Sequence, residues 1–162
     1  MSRLDSAIRR LTAQRVCLDR AIELTAGLYG PVLEFGLGNG RTYDHLREKL
    51  PGRAIYVFER EVMAHPDSRP DADHLVLGDL AETLPRARAR IGTAAALAHI
   101  DIGSGDPAAT ARTAALISQA LPDLLAAGAV VASDQQLNIP GASGLCLPEG
   151  VAAGRYFMYR MD

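Results

Sequence analysis

Five carboxylates of this chain, Glu34, Glu59, Asp79, Asp101 and Asp134, sit at or near the ends of short apolar runs. Acidic side chains brought to one edge of a sheet can bind sugar hydroxyls, an amino group or a cation. The first of them opens the stretch Glu34-Phe35-Gly36-Leu37-Gly38-Asn39-Gly40, after which a polar, helix-compatible segment begins at Arg41. Glycines at alternate positions allow a sharp turn and close backbone approach to a ligand, and the following helix would aim its free amides into that turn. Such a turn is a grip for a nucleotide-like cofactor. Its spacing is G-x-G-x-G, with Arg41 where a dinucleotide-binding turn has its third glycine, and it does not fit a G-x-x-x-x-G-K-[ST] phosphate loop. A carboxylate two residues before the first glycine suits a positively charged ligand, an amino group or a sulfonium, better than a pyrophosphate.

The elements that must position these residues can be read from periodicity. Residues 3–28 form one amphipathic helix, with Leu4, Ile8, Leu11, Leu18, Ile22 and Leu28 on a stripe, and Gly30-Pro31 ends it. Strands and helices then alternate: strand 32–36, helix 40–50, strand 54–59, a short helix near 60–65, strand 74–78, helix 80–90, strand 95–102, helix 107–126 and strand 128–133. Asp106-Pro107 is a helix start, an N-cap followed by proline at the first helical position. The strands are continuous apolar runs, as expected when helices cover both sheet faces. This order specifies an α/β doubly wound, mostly parallel sheet, whose ligands bind beyond the carboxyl ends of the strands. Ser133 to Gly154 is rich in Gly, Pro, Asn and Ser and reads as a loop, and 154–161 as a final antiparallel strand at one side of the sheet.

Glu34-Phe35-Gly36-Leu37-Gly38-Asn39-Gly40 resembles the first motif of the class I S-adenosylmethionine-dependent methyltransferases. The apolar strand ending in Glu59, the run His74-Leu75-Val76-Leu77-Gly78-Asp79, and the run ending at Asp101 extend that resemblance over residues 30 to 134. It implies a Rossmann-like methyltransferase fold and S-adenosyl-L-methionine as cofactor. Glu34, Phe35, Gly36, Gly38, Asn39, Gly40, Glu59, Arg60, Gly78, Asp79, Leu80 and Asp101 are then the expected cofactor-binding residues. Glu59 would hold the ribose hydroxyls and Asp79 the adenine amine, although Asp79 followed by Glu82 also reads as a helix cap. Glu34 would meet the ligand's amino group or stand one layer behind it. Asp101 and His99 are the catalytic candidates, His99 sharing the Asp101 side of the pleat; a core histidine is the other reading of His99. His45, on the helix after the turn, is a surface candidate.

Asp101 with Asp134 and Gln135 is also similar to the Mg²⁺-binding set of catechol-type O-methyltransferases. Ser104 stands where those enzymes carry their base lysine, and the chain has no Trp. The alternative is that Asp101 borders the cofactor and Asp134 caps a loop. The family usually adds a strand and a helix after the fifth strand, so the carboxyl-terminal part reads as shortened and the amino-terminal helix as extra. An open site of that kind points to a homo-oligomer.

One domain is expected over residues 1–162: helix 1–30, cofactor-binding core 31–134, and loop with final strand 135–162. The composition, 48% hydrophobic and 22% charged, is that of a folded globular chain. A net charge of −2 gives no basic surface for nucleic acid, and Arg86, Arg88 and Arg90 read as a solvated helix face. No signal-peptide h-region and no run of about 18 apolar residues occur, so neither export nor a membrane is expected. Cys17 and Cys146 lack metal or redox spacing, which fits the cytoplasm. The expected function is methyl transfer to a small-molecule substrate; the alternative is a cofactor-binding protein without catalysis.

Overall fold

The computed structural model describes residues 2–162. Twelve elements follow in order: α1 (Arg3–Leu24), β1 (Val32–Phe35), α2 (Arg41–Lys49), β2 (Ile55–Glu59), a 3-10 turn (Pro66–Ser68), β3 (Leu75–Leu77), α3 (Leu80–Ile91), β4 (Ala95–Ile100), α4 (Pro107–Leu124), β5 (Leu125–Ser133), β6 (Ala142–Gly144) and β7 (Phe157–Met161). The seven strands form one sheet in the order β3-β2-β1-β4-β5-β7-β6. Strands β1 to β5 are parallel, and β7 runs antiparallel to both β5 and β6. The sheet is doubly wound and Rossmann-like, as expected from the alternation of apolar runs with amphipathic helices.

Two cores cover its faces. Leu33, Phe35, Phe58, Ala98, Ile100 and Val131 pack with Leu84 and Ala87 of α3 and Ile117 and Leu121 of α4. Val32, Val57, Leu97 and Val130 pack with Cys17, Leu18 and Ala21 of α1 and Leu46 of α2. Phe35 and Phe58 stack with ring centroids 4.6 Å apart, tying β1 to β2 directly below the glycine turn. Burial pushes the Cys17 thiol up to about 11, so Cys17 is a core residue and a poor nucleophile.

Local chemistry sets the helix starts. Ser2 and Asp5 form a reciprocal capping box on α1. Asp79 caps α3 through the Ala81 amide, and Asp106 caps α4 ahead of Pro107. Helix α1 stops at Leu24, short of residue 28, because the buried Thr25 hydroxyl turns back to the Ala21 carbonyl at 2.8 Å. Its apolar stripe is only partly covered: Leu18 is buried, whereas Leu4 and Ile8 are 68% and 54% exposed.

Three expectations are corrected. No helix forms over 60–65; instead His65 is extended (ψ 146°) before Pro66, and a 3-10 turn follows, because a residue preceding proline is driven out of the helical region. The loop over 133–154 contains a strand, β6, whose three small residues carry no period and are ordered only by pairing, Ala142 opposite Met161. That strand is the sheet edge, so the final strand lies inside the sheet between β5 and β6, not at its side. Among the described residues no α-helix follows β5, and no helix is long and apolar enough to cross a membrane.

Candidate active site

The carboxyl ends of β1, β2, β3 and β4 meet in a cleft of about 500 Å³. Gly36 and Gly38 form its floor, Glu59 and Arg60 one wall, Gly78, Asp79 and Leu80 the far end, and Asp101, Ile102 and Gly103 the opposite wall. A smaller cleft of about 270 Å³ adjoins it, lined by Arg10, Leu11 and Gln14 of α1 with Asn39, Arg41 and Thr42 at the start of α2. The two share Gly36, Gly38, Asp101 and Gly103.

The glycine turn is shaped for close approach. Gly36 has φ +91°, and a Cβ there would lie 2.2 Å from the Asp101 carbonyl oxygen. The ends of β1 and β4 therefore touch backbone to backbone, which only glycine permits. Gly38 has φ +51°, and a Cβ there would meet no atom within 4 Å. Its hydrogen faces open space in both clefts, a cradle that a side chain would fill. Asn39 is exposed beside it, and Gly40 begins α2 as its N-cap.

Glu59 closes the turn from the β2 side. One carboxylate oxygen accepts from the Leu37 amide at 2.8 Å and the Gly38 amide at 3.2 Å, and the other accepts from Arg60 N–H at 2.7 Å. Asp79 is exposed and caps α3, and its carboxylate is 3.9 Å from the Arg60 guanidinium. The cap and the cleft position coincide, so both readings of Asp79 survive.

Glu34 and His99 lie elsewhere. They are register partners across β1 and β4, and both are 0% exposed. Glu34 accepts from the Thr42 hydroxyl through one oxygen and holds His99 Nδ1 at 2.7 Å with the other. His99 Nε2 meets the Tyr156 hydroxyl at 2.5 Å. Burial disfavours a charged imidazole there, but the adjoining Glu34 carboxylate outweighs it and holds the His99 pKa above its ordinary value, with Asp101 and Asp134 adding to the pull. With both oxygens and both ring nitrogens engaged, Glu34 stands one layer behind the cleft and His99 does not face a substrate. Phe35, in the same strand, is a core residue. His45 is half-buried against Asp19 of α1 at 2.7 Å, outside both clefts.

Asp101 is the catalytic candidate that does stand in the cleft. Its Oδ2 accepts from Gln14 Nε2 at 2.8 Å. Asp134 accepts from the Ile102 and Gly103 amides at 3.2 and 2.9 Å, and from the Gln135 side-chain amide at 3.0 Å. Burial raises its pKa, against the Gln135 hydrogen bond. Asp134 is thus the staple of the loop after β4. Mg²⁺ needs free oxygens in near-octahedral array, and a carboxylate committed to three N–H donors beside an amide that presents nitrogen does not fit that demand.

Sequence reasoning missed Gln14, Thr42 and Tyr156. Gln14 had a signal: it is a polar residue on the apolar stripe of α1, between Leu11 and Leu18, and it is only 5% exposed. Tyr156 and Thr42 had none, since their partners are distant in sequence.

An open doubly wound sheet with a glycine turn after β1, an acid at the end of β2 and a shared cleft at the end of β4 defines a class I, Rossmann-like methyltransferase. The chain belongs to the S-adenosyl-L-methionine methyltransferase family, which it matches over residues 1–161. The crystal structure of an S-adenosyl-L-methionine methyl transferase from Silicibacter pomeroyi DSS-3 is 49% identical over 100% of this chain and 99% of that one, with a TM-score of 0.92. CalS10 of Micromonospora echinaspora, a SAM-bound amino pentose methyltransferase involved in calicheamicin biosynthesis, is 16% identical, with a TM-score of 0.54 over 92% of this chain and 64% of that one; that likeness concerns the fold alone. No curated protein matches the sequence. The chain is an S-adenosyl-L-methionine-dependent methyltransferase, not a cofactor-binding protein without catalysis.

Proposed function

We propose that the chain is a single S-adenosylmethionine-binding domain that methylates a small-molecule acceptor at the junction of its two clefts. The observation that carries this reading is the set Gly36, Gly38, Asp101 and Gly103, common to both clefts. The larger cleft suits the adenosine half of the donor, with Glu59 at the ribose hydroxyls, and Arg60, Gly78, Asp79 and Leu80 around the base. The bound donor supplies a methyl group on a positively charged sulfur. What the chain contributes is in-line placement of the two reactants, worth up to roughly 7–11 kcal/mol of barrier. Asp101 alone among the candidate carboxylates lines both clefts, so it meets the reacting end of the donor and the incoming acceptor.

A small acceptor is favoured by the absence of a basic stripe for nucleic acid, at a net charge of −2. A homo-oligomer is favoured by Leu4 and Ile8, exposed on the half of α1 that carries Arg10 and Leu11 to the smaller cleft. Two free cysteines favour the cytoplasm.

Isothermal titration with S-adenosylhomocysteine and with NAD tests the donor: the first is expected to bind and the second not. Glu59→Ala is expected to weaken S-adenosylhomocysteine by about 1.5–3 kcal/mol, the worth of hydrogen bonds to a charged group. It also frees the Leu37 and Gly38 amides, so a loss of a few tenths would make Glu59 a turn staple alone. Turnover of methyl-labelled donor over a panel of metabolites bearing O–H or N–H groups tests the acceptor. That turnover is expected to be unchanged by EDTA, and its loss would return a cation to Asp101, Asp134 and Gln135.

A further inference from the structure

A line of hydrogen-bonding groups runs from inside the sheet to the cleft. It begins at the Thr42 hydroxyl and Glu34, passes to His99 at 2.7 Å and to the Tyr156 hydroxyl at 2.5 Å. The Tyr156 hydroxyl in turn meets the Gln14 side chain, and Gln14 Nε2 donates to Asp101 Oδ2 at 2.8 Å. The polarity is consistent throughout. A carboxylate at Glu34 takes Nδ1–H, so Nε2 of the neutral ring accepts from the phenol. The phenol oxygen then accepts from the Gln14 amide, whose second N–H is left for Asp101. Every partner fixes the next, and the last fixed group is the carboxylate that both clefts share.

The smaller cleft presents charges without partners. Asp101 Oδ1 has no hydrogen-bond partner among the described residues. Arg10 and Arg41 on the same walls make no ion pair among them. One open carboxylate oxygen and two open guanidinium groups, around about 270 Å³, complement a zwitterion that carries an ammonium and a carboxylate on neighbouring atoms.

We propose that the smaller cleft takes the α-amino-acid end of the methyl donor, its ammonium on Asp101 and its carboxylate on Arg10 and Arg41. Gln14, Tyr156, His99 and Glu34 are positioning residues that aim Asp101 for that contact. The inference rests on the donor reading above. It makes α1, which precedes every recognised motif, part of the donor site.

Two probes separate the halves of the donor. S-Adenosylhomocysteine carries adenosine, sulfur and the amino acid; 5′-methylthioadenosine carries adenosine and sulfur only. Titration calorimetry on Tyr156→Phe and Gln14→Leu is expected to show S-adenosylhomocysteine weakened at least about tenfold, with 5′-methylthioadenosine unchanged. A general loosening of the fold would weaken both ligands alike, and that result overturns the assignment. So does unchanged S-adenosylhomocysteine affinity in a variant with a native melting transition. If the buried variants do not fold, Arg10→Gln with Arg41→Gln, both on exposed residues, is expected to give the same selective loss, and equal affinities there refute the proposal. Wild-type binding of neither probe would instead remove the donor site itself.

Discussion

Gly38→Val is expected to weaken S-adenosylhomocysteine by about 100-fold or more, roughly 3 kcal/mol, in a protein that still folds. A Cβ at residue 38 meets no atom of the chain within 4 Å, so the branched side chain has room in the free protein. The same emptiness is the space that the ligand needs. Residue 38 lines both clefts, which puts the two valine methyls between the adenosine half and the amino-acid half of the donor. Some stability is lost as well, because φ is +51° at this position and a β-branched residue there costs about 1–2 kcal/mol. Gly38→Ala bears nearly the same backbone cost with one carbon of obstruction, so the difference between the two variants isolates occlusion. Calorimetry with S-adenosylhomocysteine, alongside thermal melts, makes the measurement. Native affinity in Gly38→Val would place the donor somewhere other than over this turn.

Glu34→Ala is expected to destabilise the fold by about 3–5 kcal/mol, a large part of the roughly 5–15 kcal/mol that holds a domain of this size together. The carboxylate satisfies two groups at once, the Thr42 hydroxyl and His99 Nδ1, and all of its surroundings are dry. Removing it leaves a fully buried imidazole without its counter-charge and a hydroxyl without an acceptor, and it opens a void between β1 and α2. Glu34→Gln keeps the shape and one acceptor oxygen while losing the charge, so its expected loss is smaller. Urea unfolding with an unchanged m-value checks both. A loss below about 1 kcal/mol for the alanine variant would mean that the network carries little stability of its own.

The part of the site that lay in continuous sequence was legible. Gly36, Gly38 and Glu59 could be assigned from the order of an apolar run, a glycine turn and a second run ending in an acid, because each role depends on backbone shape and strand polarity that local residues dictate. Asp101 followed from the same logic one strand later. His99 shows where the logic stops. Its position in β4 made it a neighbour of Asp101 on one pleat, and that much is right. Whether its ring reached the cleft depended on Glu34 in the adjoining strand and on Tyr156, 57 residues onward. Strand β6 was invisible for a related reason, since Ala142–Gly144 has no apolar period and is ordered only by its neighbour β7.

The chain's own order of residues determined the doubly wound sheet, the cofactor edge and the glycine turn, since periodicity, capping and glycine spacing act over a few residues at a time. The tertiary structure alone decided which polar groups are buried together, that α1 lends Gln14 to the cleft, and that Glu34 and His99 stand behind the site. Those contacts join residues 57 to 87 positions apart, and at that distance side-chain pairing is set by how strands and helices stack, which no local pattern records.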